Sequence, residues 1–460
     1  MITTISLENF KSWKEGINIK MAPITGLFGS NSSGKTSLLQ LLLMLKQTTE
    51  SPDRAQVLHL GDDKSLVELG TYNDIIFDHR KEVPLKWGLA WGLGNTMEIE
   101  DPEHKGKTLF KGKDIELHAE IEENGSGRMA VNRFAYTFGG HQFTMRRKAP
   151  KQKSSYSLTT EAQPGTQKFK FKRTQGRVWD LPAPKKCYGF PDQVKAYYQN
   201  AGFLADFELA FEELFSRVYY LGPLRDYPKR QYTWAGAQPA DMGRRGEKVV
   251  DALLASRERG ELVSRGARKK RLNIEQCVAF WLRELNLIDN FTVEPITEGS
   301  NLYRVWVQRT SGSAKVLVTD VGFGVSQILP VLTICYYVPE GSTILMEQPE
   351  IHLHPSVQAG LADVFIDAIK TRNVQIVLES HSEYLLKRLQ RRIAEEKLSS
   401  DEATLYFCNM KDGRSRLVEL GLDLYGNITN WPQDFFGDQV GEIAAMTKAQ
   451  MQRKKQESAS

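Results

Sequence analysis

Cysteine is scarce in this chain. There are four in 460 residues, Cys187, Cys277, Cys335 and Cys408, far apart and with no C-x-x-C spacing. That argues against a disulfide framework or a cysteine-based metal site, and reads as reduced core cysteines of a cytoplasmic protein. Long apolar runs are missing too: even Leu38–Leu45 is too short to span a bilayer, so no membrane association is expected. The N-terminus has no basic region followed by an apolar core, so no secretory leader is expected. The middle of the chain lacks sustained heptads, which argues against a long coiled coil. No single sign of charge dominates. The net charge of +5 is modest and by itself does not establish nucleic-acid binding. What is left is an ordinary soluble composition, long enough for a large core and two or more domains.

Against these absences stands one dense motif. Gly29-Ser30-Asn31-Ser32-Ser33-Gly34-Lys35-Thr36 reads G-x-x-x-x-G-K-T, a phosphate-cradling loop. Its flanks suit it. Ile17–Met21 and Ile24–Phe28 are half-apolar runs suited to strands. Ser37–Lys46 holds no β-branched residue and no breaker, so it predicts a helix. Gly29 and Gly34 allow backbone angles that turn amides toward phosphate. The helix start adds its partial positive charge. In such a loop Lys35 reaches the β- and γ-phosphates and the Thr36 hydroxyl is placed for Mg2+.

A second cluster lies near the other end. Leu317–Gln327 is a glycine-and-hydroxyl turn, carrying Thr319, Gly322, Gly324 and Ser326, before an apolar helix over Ile328–Tyr337. Exposed amides at a helix start can grip phosphate; a plain helix cap fits the same residues. Ser342–Met346 reads as a buried strand ending in Glu347-Gln348-Pro349-Glu350, where carboxylates could hold Mg2+ and a water. His352 and His354 follow as H-x-H, but no third ligand is evident, and a loop-ordering role is expected. Val374–Leu378 is another buried strand, ending in Glu379-Ser380-His381-Ser382.

Between the clusters the pattern changes. From Val83 to Ala149 short strands with turns such as Glu123–Gly127 are expected. A basic stretch follows, with Arg146, Arg147, Lys148, Lys151, Lys153, Lys168, Lys170, Lys172, Arg173 and Arg177. Lys168–Lys172 alternates Lys and Phe and predicts a strand with one basic face. It suits a phosphate-backbone contact, and equally a solvated hairpin. Val218–Leu221 reads as a strand whose Gly-Pro turn delivers Arg225, Lys229 and Arg230 together, a cluster suited to anion contact or an ordinary polar loop. Val67–Phe77 is expected near the loop of Gly29–Thr36. Ile274–Leu285 predicts an amphipathic helix.

The order of G-x-x-x-x-G-K-T, glycine turn with Ser-Gln, E-Q-P-E-x-H-L-H-P and strand-E-S-H-S resembles the ABC-type ATPases of the SMC, RecF and OLD group. The resemblance covers about Met1–Tyr72 and Val316–Cys408. It implies an α/β fold: an ABC-type P-loop ATPase head, a mixed sheet with flanking helices, with a basic α+β insertion. By position it makes Lys35 and Thr36 the Walker A lysine and hydroxyl, with Gly29–Ser37 holding ATP. Glu347 becomes the Walker B acid at Mg2+ and His381 the γ-phosphate-sensing switch histidine. Thr319–Ser326 becomes the signature segment that meets ATP of an opposite subunit. The family's catalytic base is a Glu directly after the Walker B acid; here that position is Gln348, and an amide cannot accept a proton as a carboxylate does. Either hydrolysis is slow or Glu350 or another carboxylate activates the water.

The expected organisation is 1–80 and 301–410 as two halves of the head, 81–300 as insertion or lid, and 411–460 as a small C-terminal module. Asp423–Asp438 resembles a module found on a subset of bacterial ATPases. Relatives of this type sit in anti-phage defence systems beside a separately encoded effector. The resemblance therefore implies a homo-oligomer through ATP-sandwich contacts, an effector partner such as a nuclease, and DNA as a further partner. A DNA-repair ATPase is the alternative. A self-contained nuclease is disfavoured, because no acidic cluster for its metals follows His381.

Overall fold

The computed structural model describes residues 1–101, 104, 106–124, 127–148, 155–176, 180–266, 270–432, 435 and 439–457. The chain opens with an antiparallel pair, β1 (Ile2–Glu8) and β2 (Ile17–Lys20), then enters a second sheet through β3 (Ile24–Gly29). Helix α1 (Lys35–Glu50) follows, then a short helix α2 (Tyr72–Ile75). The chain returns to the first sheet through β4 (Leu85–Glu100), β5 (Thr108–Glu123), β6 (Met129–Phe138), β7 (His141–Arg147) and β8 (Tyr156–Ala162). These complete a seven-stranded antiparallel sheet in the order β2-β1-β4-β5-β6-β7-β8.

Helices α3 (Gln193–Tyr197) and α4 (Leu204–Ser216) lead to β9 (Val218–Leu221), which re-enters the second sheet. A side module comes next: β10 (Tyr232–Thr233), α5 (Val249–Glu258), α6 (Ile274–Glu284), β11 (Asn290–Pro295), β12 (Leu302–Gln308) and β13 (Val316–Leu317). The last stretch alternates α7 (Phe323–Tyr337), β14 (Thr343–Glu347), α8 (Pro355–Arg372), β15 (Gln375–Glu379), α9 (Glu383–Ala394), β16 (Ala403–Lys411), β17 (Arg414–Leu420) and α10 (Gln439–Glu457).

The second sheet positions the site. Its order is β17-β16-β3-β15-β14-β9, parallel from β9 to β16 with β17 antiparallel at the edge. β3, β14 and β15 are buried at every residue, as expected of parallel strands covered on both faces. Helix α1 is buried along most of its length because it lies between the two sheets, with its apolar run at Leu38–Leu45. Ile5 and Ile19 of the first sheet and Leu27 and Val377 of the second face its Leu38, Leu39 and Leu42.

Two local expectations change. The strands after Val83 are not short: β4 and β5 run sixteen residues each and pair β1 to the rest of the first sheet. Gly88, Gly92 and Gly94 interrupt the apolar pattern in sequence, but cross-strand bonding carries the strand through, with register shifts between Gly92 and Met97 and between Ile99 and Glu100. Lys168–Lys172 is not a strand. The segment is held by Asn200, whose side chain accepts from Lys172 N at 2.8 Å and donates to Lys170 O at 3.0 Å. Phe169 and Phe171 pack into a cluster with Phe110, Phe143, Phe203 and Tyr198. Lys168, Lys170, Lys172 and Arg173 stay exposed, so aromatic burial rather than ladder pairing sets the alternation. Lys151, Lys153 and Arg177 lie outside the described residues.

Candidate functional site

The loop after β3 is shaped by close neighbours. Gly29 sits at φ +135, and a Cβ there would lie 2.0 Å from the Cys408 carbonyl oxygen of β16. Gly34 caps α1 at φ +90, and its Cβ would lie 2.4 Å from Ser415 Oγ and 2.9 Å from Trp13 Nε1. Both positions need glycine for conformation and for space. The Trp13 indole donates to Gly34 O at 3.1 Å, and the Ser415 and Ser12 hydroxyls meet at 2.6 Å. Ser30, Asn31 and Ser32 are exposed; Ser33 is buried and donates to Ser30 O at 2.8 Å; Ser37 is buried at the helix start. The first turn of α1 carries no acidic residue, so its partial positive charge is unopposed there. Lys35 folds back onto the loop, donating to Gly29 O at 3.1 Å and Ser30 O at 2.7 Å. Burial pulls its pKa down, and Glu379, 3.9 Å away, opposes that.

Three carboxylates converge at the ends of β14 and β15. Glu347 and Glu379 are register partners across the two strands. Thr36 donates its hydroxyl hydrogen to Glu379 Oε2 at 2.6 Å. Glu347 instead accepts from the Tyr220 hydroxyl of β9 at 2.7 Å, and burial pushes its carboxyl up to about 7. Glu350 Oε1 accepts from Ser380 Oγ at 2.8 Å and from His381 N at 2.7 Å, while its buried Oε2 has no partner. Burial raises its pKa as well. Gln348 sits at φ +44 and its backbone N–H donates to Glu379 O at 2.8 Å. The His381 ring lies against the loop: burial and then Lys35 lower its pKa, opposed by a bond with the Gly29 backbone.

Other sequence candidates fall elsewhere. Thr319 donates to Asp320 at 3.1 Å, Gly322 precedes α7, Gly324 lies in its first turn, and Ser326 donates to Phe323 O at 2.7 Å. Among the described residues no hydrogen bond or ion pair joins Thr319–Ser326 to Gly29–Thr36. His352 and His354 take separate neighbours, the Phe323 ring and Ser356. In Val67–Phe77, Ile75 O accepts from Lys11 N at 2.7 Å, which ties the segment to the Asn9–Trp13 turn. Sequence reasoning passed over Glu379 and Tyr220. The signal for Glu379 was its place, the last residue of a buried strand.

The residues fit ATP and Mg2+. The glycine cradle, the unopposed helix start, Lys35, and the Thr36 hydroxyl beside carboxylates are all present. Glu350 Oε2 and Arg225 Nε and Nη1 add buried polar atoms without partners beside them.

Three family models match the sequence. Residues 1–157 match "AAA ATPase domain", and residues 242–387 match "AAA domain, putative AbiEii toxin, Type IV TA system". The chain carries AAA-family P-loop ATPase domains. The first match holds Gly29–Thr36 and the second holds Glu347–His381. Residues 398–446 match "Protein of unknown function (DUF3696)". The sequence matches none of the curated proteins. Among solved structures, the SMC head domain from Thermotoga maritima is 9% identical, with 91% of this chain and 99% of that chain covered, at a TM-score of 0.41. An SmcHead bound to the C-winged helix domain of ScpA is 11% identical, with 92% and 98% covered, at 0.45. A Smc head with an extended coiled coil, bound to the C-terminal domain of ScpA derived from Pyrococcus furiosus, is 11% identical, with 92% and 96% covered, at 0.39.

Within this ATPase domain the chemistry available is phosphate binding by amides and Lys35, cation binding by Thr36 with the carboxylates, and proton acceptance by a carboxylate. Glu350, with one oxygen free, can accept a proton; the Gln348 amide cannot. Among the described residues no helix is long and apolar enough to cross a membrane.

Proposed function

We propose that this protein is an ATP-dependent switch: a sensor and scaffold subunit of a bacterial anti-phage defence system that controls a separately encoded effector, such as a nuclease. The observation that carries the reading is an intact Lys35–Thr36 cradle facing Glu347, Glu350, Glu379 and His381, with Gln348 in the position of a catalytic carboxylate. Gly29–Ser37 holds the phosphates. Thr36, Glu379 and Glu347 hold Mg2+, which supplies charge neutralisation at the terminal phosphate. Glu350 is the base, oriented through Oε1 by Ser380 and the His381 amide and free at Oε2. Without a carboxylate at Gln348 turnover is slow, which suits a sensor that persists in one ATP-bound assembly.

The defence role is supported by the family description of residues 242–387, which names a toxin and a toxin–antitoxin system. Two copies form the assembly, each offering Thr319–Ser326 to the ATP of the other. The separation of that turn from Gly29–Thr36, and the exposure of Phe323 (40%) and Tyr227 (76%) beside it, support this. The exposed row Lys168, Lys170, Lys172 and Arg173 is the contact for DNA or a partner.

The test is ATP turnover by the purified chain, with and without duplex DNA, beside Lys35→Ala and Glu350→Gln, and sizing with ATP and Mg2+. Slow Lys35-dependent turnover, lost in Glu350→Gln, with ATP-dependent dimers is the expected result. Unchanged oligomeric state with ATP and Mg2+ sinks the sandwich. Lack of nucleotide binding sinks the whole reading.

A further inference from the structure

The turn after β9 carries three cations, and the fold separates them. Lys229 and Arg230 are exposed, and Arg230 pairs with Asp320 at 2.8 Å. Arg225 retains only 7% exposure. Its backbone is clamped on both sides: Gly222 N donates to Arg244 O at 2.8 Å and Asp226 N to Arg245 O at 3.1 Å. The side chain runs to the end of β14, where Nη2 makes one long bond of 3.4 Å to Glu347 O. Nε and Nη1 are buried without a partner.

A counter-ion role does not account for this placement. The Glu347 carboxylate is taken by Tyr220, and among the described residues no carboxylate pairs with Arg225 within 4.0 Å. Glu350, a second charge near it, keeps its own Oε2 unpaired. Unmet donors on a buried cation are costly, so a fold that retains them points to a group that completes them. The group must be anionic, must lie near Glu347 and Glu350, and must offer several oxygens. The terminal phosphate of a nucleotide in the Lys35–Thr36 cradle meets all three demands. Burial draws the guanidinium down to about 10, which still leaves it charged at neutral pH.

We propose that Arg225 is a phosphate-contacting residue supplied by the same chain as Lys35, donating through Nε and Nη1 to the terminal phosphate of ATP and so setting preference for ATP over ADP. The proposal rests on the nucleotide-binding reading above. Lys35 holds the loop side of the phosphates, and Arg225 approaches from β9, three strands along from β3 with β15 and β14 between them. ADP lacks the oxygens that would complete Arg225, so it leaves the buried donors unmet.

The test is calorimetric binding of a non-hydrolysable ATP analogue and of ADP, with Mg2+, to full-length wild type, Arg225→Ala, Arg225→Lys and Lys35→Ala. A charge-assisted hydrogen bond corresponds to about a tenfold to hundredfold change in affinity. Arg225→Ala is expected to weaken the analogue by that factor while ADP stays within about twofold. Arg225→Lys keeps the charge, loses the planar donor set, and is expected to fall between. Lys35→Ala is expected to weaken both ligands. A wild-type analogue-to-ADP ratio preserved in Arg225→Ala overturns the proposal and leaves the nucleotide site standing. Wild type that binds neither ligand overturns both. If Arg225→Ala does not fold, as read from its melting profile, Arg225→Lys decides: a reduced ratio supports the proposal and an unchanged one overturns it.

Discussion

Thr36 Oγ1 donates to Glu379 Oε2 at 2.6 Å, a bond between residues 343 positions apart. It joins the start of α1 to the end of β15 and so ties the cradle to the carboxylate edge. Thr36→Ala leaves a buried carboxylate oxygen unmet and is expected to cost about 1–3 kcal/mol, read as a lower melting temperature. It is also expected to remove most of the Mg2+ dependence of nucleotide binding. If Mg2+ titration still strengthens binding as in wild type, Thr36 is not a metal contact.

Gly34 tolerates no side chain. Gly34→Ala is expected to destabilise by more than about 1 kcal/mol and to abolish nucleotide binding, because φ +90 and the Ser415 and Trp13 contacts both oppose it. Adding Ser415→Ala removes the nearest collision but not the backbone strain, so little recovery is expected. Trp13→Phe removes the bond to Gly34 O and should cost about 1 kcal/mol. Thermal melting and fluorescent-nucleotide binding check all three.

Glu347 and Glu208 should make stability fall as pH rises from about 5 to about 7, against an opposite contribution from His381, whose pKa burial lowers. Glu347 and Glu208 are both pushed up to about 7 by burial, from an ordinary value of 4.5. Between those limits the folded chain holds protons that the unfolded chain has released, so raising the pH favours unfolding; above 7 both states are ionised and the trend flattens. Each group contributes at most about 3 kcal/mol. Glu347→Gln and Glu208→Gln should each remove part of the slope in melting temperature against pH. A slope unchanged in both variants counts against both shifts.

The aromatic cluster and the basic row should respond oppositely. Phe143 is fully buried and edge-on to Phe110, Phe169 and Phe203. Phe143→Ala is expected to cost about 3–5 kcal/mol by denaturant unfolding. Charge reversal at Lys168, Lys170 and Lys172 should change stability by no more than about 0.5 kcal/mol each. It should also lower salt-dependent duplex binding in fluorescence anisotropy. Unaltered binding would leave the row a solvated face.

Local spacing made the cradle legible. Gly29, Gly34, Lys35 and Thr36 act within one loop, and the strand and helix around them follow from short-range pattern. β14 and β15 were readable as apolar runs, and α6 from its apolar period, with Asn273 and Gln276 forming the cap at its start. The long strands β4 and β5 were not, because glycines broke their pattern and the pairing that holds them is non-local. Lys168–Lys172 alternates like a strand, yet its partner is Asn200 rather than a ladder.

The sequence by itself determined the Gly29–Thr36 loop, the buried strands that carry Glu347 and Glu379, and the amide rather than a carboxylate at Gln348. These depend on residue type and near-neighbour spacing. Only the tertiary structure decided which carboxylate meets Thr36, that Tyr220 occupies Glu347, and that Arg225 alone of its cluster is buried. Those facts follow from placing β3, β15, β14 and β9 side by side. Hydrogen-bond partners across a parallel sheet are set by strand order and register, and neither is written in the local sequence of any one strand.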